Sequence, residues 1–74
     1  MDELILMIFK THKGEWLTPQ RIREIVNAIK GTNTPLAPVQ RTINRLTKCD
    51  KLLRITNGTD PKFTLNDSLS GFYL

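Results

Sequence analysis

The apolar residues of this chain change their spacing once, near residue 50, and that change restricts the fold more than any other feature. Up to Leu46 they recur three and four positions apart in three blocks; from Leu53 they alternate with polar residues. The first spacing lines side chains along one stripe of a helix, the second along one face of a strand. The chain therefore reads as α+β: three helices, then a two-stranded β-hairpin.

Local signals bound each block. Residues 2–12 read as a first helix, because Asp2 and Glu3 suit the positive end of a helix dipole and Gly14 supplies a stop. Its stripe is Leu4, Ile5 and Ile8, widened by Leu6, Met7 and Phe9. Glu15, Trp16 and Leu17 leave room only for a short extended piece, with Trp16 expected in the core beside Phe9 and Phe63. Thr18 and Pro19 form a cap and first-turn pair for a second helix, in which Ile22, Ile25, Val26 and Ile29 fall on one side and Gly31 closes the run. Thr34 and Pro35 repeat the cap-then-proline signal, with Pro38 as an alternative start. Leu36, Val39, Ile43 and Leu46 then form a third stripe that Asp50 ends.

In the hairpin Leu53 and Ile55 alternate with Arg54 and Thr56, and Phe63 and Leu65 alternate with Lys62 and Thr64, around an Asn57-Gly58-Thr59-Asp60-Pro61 turn. The apolar sets are expected to face the helices, leaving Arg54, Lys62 and the turn in solvent. The domain is read as residues 1–65. The tail, 66–74, lacks periodicity but ends in Phe72, Tyr73 and Leu74, an apolar cluster expected to pack on the core or to form a homodimer contact.

Composition excludes several function classes. A chain of 74 residues holds one core and buries only roughly 60% of its unfolded surface, which leaves little interior for a deep cleft. The longest apolar run, Leu4 to Phe9, is far short of the ~20 residues that span a bilayer, so neither a membrane span nor a basic-then-apolar leader is expected. Cys49 is the one cysteine, so no internal disulfide is expected and a reducing, cytoplasmic or nucleoid-associated setting follows (nuclear in a eukaryote). His12 is expected beside the last carbonyls of the first helix, and Cys49 at a helix C-terminus, where a thiolate is disfavoured. Without paired carboxylates or a Gly-rich phosphate loop, no catalytic residue, metal ligand or cofactor is expected.

Charge is concentrated rather than spread. The net charge is +4, yet between Arg21 and Arg54 eight cations stand against Glu24 and Asp50 alone. On the third helix the side opposite the apolar stripe carries Ala37, Pro38, Arg41, Asn44, Arg45 and Lys48, three cations and no acid. A helix fits the major groove of DNA, where Arg pairs with guanine and Asn or Gln with adenine. Arg41, Asn44 and Arg45, flanked by Gln40, are therefore the candidate base readers. Lys48, Lys51, Arg21, Arg54 and Lys62 are the candidate phosphate contacts. A merely solvated, solubilising face is the competing explanation.

The order helix, short extended piece, helix, turn, helix, hairpin resembles the winged helix-turn-helix domain over about residues 2–65. The stretch from Val39 to Leu46, followed by Leu52 and Leu53, is similar to that superfamily's recognition helix and its exit into the wing. Lys51 stands where such regulators usually carry Gly. Ile43-Asn44-Arg45 and Gly58-Thr59-Asp60-Pro61 also echo the winged domain that reads left-handed DNA, but Lys48 stands where that family has Tyr, and its roles are not carried over. The resemblance implies a non-catalytic double-stranded DNA-binding protein, a small transcriptional regulator or architectural factor with helix 3 in the major groove. Stand-alone binders of this size resemble those of phages and other mobile elements. The alternative it implies is a protein-interaction module or small inhibitor that grips a protein partner through helix 3 or the wing.

Overall fold

Three helices and one hairpin form in the predicted order. In the computed structural model, which describes residues 1–56, 58 and 60–66, they are α1 (Asp2–Thr11), α2 (Pro19–Lys30), α3 (Leu36–Lys48), β1 (Leu52–Thr56) and β2 (Pro61–Leu65). The cluster Phe72, Tyr73 and Leu74, with Asn57 and Thr59 of the turn, lies outside the described residues.

Each helix boundary has a local cause. Thr18 accepts a hydrogen bond from the Arg21 amide (3.2 Å), which satisfies one of the amides left without an intrahelical partner at the start of α2; Pro19 follows at a position that needs no N–H. Gly31 ends α2 with φ +65°, a left-handed turn that glycine adopts without steric cost. At α3 the expected cap is replaced: Pro35 is the N-cap and no side chain caps the helix, so Thr34 does not serve there. Pro38 falls in the first turn of α3, where its missing N–H costs nothing. His12 also differs from expectation, since its Nδ1 lies 3.0 Å from Glu15 Oε2 rather than serving carbonyls of α1.

The helices close around one core. Ile5, Ile8 and Phe9 of α1, Ile22 and Val26 of α2, and Val39, Ile43 and Leu46 of α3 are buried, as are Leu17, Leu52 and Phe63. Each such side chain stabilises the fold by about 1.5–3 kcal/mol relative to exposure. Thr42 also enters the core: buried on α3, it donates its hydroxyl to the Pro38 carbonyl (3.1 Å), which removes the cost of burying it. Met7 and Ile29, placed on stripes by spacing, are exposed.

The hairpin corrects two expectations. β1 and β2 pair antiparallel with Leu52 opposite Leu65, Arg54 opposite Phe63 and Thr56 opposite Pro61, and directly opposed residues share a face. Leu52, not Leu53, therefore joins Phe63 and Leu65 against the helices. Leu53 and Ile55 stand on the outer face with Lys62 and Thr64, and both are exposed. Leu17 extends the sheet by pairing with Phe63 through two backbone hydrogen bonds (2.7 and 2.8 Å). Leu17 shares the inner face of Phe63, so its neighbour Trp16 points the other way and is 43% exposed rather than core. Three helices with an antiparallel hairpin folded onto them form the winged helix-turn-helix arrangement.

Candidate nucleic-acid interface

The α2–α3 turn sets where the third helix lies, and one side chain organises it. Asn27 Oδ1 accepts from the Thr34 amide (2.8 Å) and the Thr32 hydroxyl (3.2 Å), while its Nδ2 donates to the Thr34 carbonyl (3.2 Å). Arg23 Nε donates to the same carbonyl (3.0 Å), which commits that cation to the turn. Neither residue was singled out from the sequence. An Asn seven positions before its partner forms no recognisable spacing, and its role exists only once the chain reverses.

From that anchor α3 runs with Val39, Thr42, Ile43 and Leu46 inward. At about 100° per residue, Arg41, Asn44 and Lys48 lie within roughly 30° of the opposite direction. All three are exposed, and neither cation has an ion-pair partner among the described residues. Gln40 and Arg45 fall about 70° to either side of that centre, on opposite flanks. Arg41 and Arg45 stand on the same side of the helix.

The two flanks have different neighbours. On the wing side, Gln40 and Asn44 line a groove of about 220 Å³ with Arg54, Pro19, Pro61 and Phe63. Arg54 reaches this groove because it shares the inner face of Phe63, a consequence of the β1 phase; Lys62 stands on the outer face. On the other flank Arg45 donates from Nη2 to Asp2 Oδ1 of α1 (2.7 Å). Arg21, at the start of α2, lies 3.4 Å from Glu24 across one turn. Of the nine candidate contacts, two thus carry an internal acid partner.

The C-terminal end of α3 is held by a paired carbonyl closure. The Asp50 amide donates to Thr47 O (3.1 Å) and the Lys51 amide to Leu46 O (3.0 Å), with Asp50 at φ +62°. The left-handed residue of this exit is Asp50, one position before Lys51. Asn66 bonds the Asp50 carbonyl through Nδ2 (2.8 Å) and the Lys51 carbonyl through its amide (3.1 Å), tying the end of β2 to the helix exit. Lys48 and Lys51 both project into solvent there.

Among the described residues no helix is long and apolar enough to cross a membrane, and no three His, Cys, Asp or Glu side chains converge as metal ligands. No protein-family model matches the sequence, and no curated protein matches it significantly. Its fold is similar to that of a ferric uptake regulator from Francisella tularensis solved with iron, at a TM-score of 0.74 and 23% identity. The similarity covers 88% of this chain and 49% of that one, so the chain spans about half the length of the regulator whose fold it shares.

Proposed function

We propose that the protein binds double-stranded DNA without catalysis, as a regulator or architectural factor, with α3 in the major groove and the wing along the adjacent backbone. The observation that carries this reading is the outer face of α3, where Arg41 and Lys48 stand exposed and unpaired among the described residues on either side of Asn44. Base contacts fall to Gln40, Arg41 and Asn44, residue types with two-pronged partners on guanine or adenine edges, while Arg45, the fourth candidate, is held by Asp2 on the α1 flank and stands outside this set. Phosphate contacts fall to Lys48 and Lys51 at the end of α3 and to Arg54 in the groove, with Arg21 and Lys62 at the margins.

Equilibrium binding to short duplexes across a salt series tests this. About five phosphate contacts give a slope of log affinity against log salt near −4.5. Arg41→Glu with Lys48→Glu is expected to leave the melting temperature nearly unchanged and to weaken binding at least ~30-fold. Selection of duplexes from a random pool at near-physiological salt then separates the two roles: an enriched sequence indicates a regulator, and retained binding without enrichment an architectural factor.

A protein-interaction role is favoured by a different observation, the exposed Trp16, Leu53 and Ile55 on the outer face of the wing sheet. That reading gains if the chain shows no salt-dependent affinity for duplex DNA.

A further inference from the structure

Resting on the DNA-binding reading, we infer that Asp2 sets the strength of that interface by holding the Arg45 guanidinium on α1, out of the set of groups that contact phosphate. Arg45 is the cation on the α1 flank of α3, and its Nη2 lies 2.7 Å from Asp2 Oδ1, a charge-assisted distance. The partners are 43 residues apart in sequence, so the pair is made by the packing of α1 beside α3 rather than by local helix spacing. The other cations of the α3 surface, Arg41 and Lys48, have no such partner among the described residues.

The pair acts on a nucleic acid in two ways. It satisfies a guanidinium that would otherwise bond a phosphate oxygen, and it places a carboxylate at the rim where a phosphate backbone would continue past α3. Both side chains are substantially exposed, 61% for Arg45 and 44% for Asp2, so the contact is exchangeable and its removal exposes a free cation without opening the core. Asp2 is thus a positioning residue: it confines the cationic surface to Arg41, Lys48, Lys51 and the wing groove.

Glu3 provides the internal control. It carries the same charge in the same first turn of α1, is exposed, and has no ion-pair partner among the described residues. Replacing it reproduces the change in net charge and in the interaction with the helix dipole but releases no arginine.

The experiment measures duplex affinity and its salt slope for the wild-type chain, Asp2→Asn, Glu3→Gln, Arg45→Gln and the Asp2→Asn/Arg45→Gln double variant. Asp2→Asn is expected to tighten binding by up to about fivefold, the ceiling for an exposed ion pair, and to steepen the slope by about 0.9, one added phosphate contact. Glu3→Gln should give a smaller gain with the slope unchanged. Arg45→Gln should change wild-type affinity less than about twofold yet abolish the Asp2→Asn gain, a coupling that a change in net charge alone does not produce. The inference is overturned if Asp2→Asn matches Glu3→Gln, if its gain survives Arg45→Gln, or if Arg45→Gln alone weakens wild-type binding tenfold. A wild-type chain that binds no duplex overturns the DNA-binding reading itself, and this inference with it.

Discussion

Single residues at turns carry costs that their surroundings require. Asp50 adopts a left-handed conformation because the exit of α3 closes two carbonyls at once, through Asp50 and Lys51, and only a backbone turned that way can do so. An L-residue with a Cβ is disfavoured there by about 1 kcal/mol, so Asp50→Gly should raise stability by roughly 0.5–1 kcal/mol, read as a shift in urea midpoint. The aromatic residues make the complementary point. Phe9 is fully buried and Phe9→Ala should cost about 3–5 kcal/mol, whereas the half-exposed Trp16 should cost no more than ~2 kcal/mol in parallel denaturant titrations. Both residues look equally core-like in sequence. They differ because the Leu17–Phe63 pairing decides which way Trp16 points.

Elements were legible where a pattern repeats and less so where it is short. In α2, Thr18, Pro19, Ile22, Val26 and Gly31 state start, face and end together, and the structure follows each of them. In β1, five residues containing Leu52, Leu53 and Ile55 fit either face, and the register with β2 selects Leu52. Replacing Leu53 and Ile55 by Thr should therefore change stability by about 0.5 kcal/mol or less each, while Leu52→Ala should cost about 2–5 kcal/mol, measured by thermal unfolding. Gly31 and the Thr34-Pro35 pair mark the limits of the α2–α3 turn in the sequence, yet its conformation depends on Asn27. Asn27→Ala leaves the Thr34 amide without its side-chain partner and should cost about 1–3 kcal/mol, with accelerated amide exchange at Thr34 as the local signature.

For the whole molecule, the distribution of charge around α3 matters more than the net value of +4. The central cations Arg41 and Lys48 are free of ion pairs among the described residues, one flank is an open groove containing Arg54, and the other ends in the Arg45–Asp2 pair. An interface with about five phosphate contacts is expected to lose roughly 500-fold in affinity between 50 and 200 mM salt, less than all seven candidate cations would give if free, and filter binding across that range measures it. The basic, polar composition of the α3 outer face could be read from the sequence. The division of that face into a wing flank and an α1 flank could not, because neither Asp2 nor Arg54 is close to α3 along the chain.

Spacing and punctuation were sufficient to specify three helices, a hairpin, their order and the outward side of α3, because each follows from interactions between residues within one element or at its ends. The phase of β1, the outward turn of Trp16, the bracing of the α2–α3 turn by Asn27 and the capture of Arg45 by Asp2 depend on segments brought together by folding. Their partners are set by packing geometry, and a side chain carries no local mark of a neighbour that the chain reaches only after it has folded.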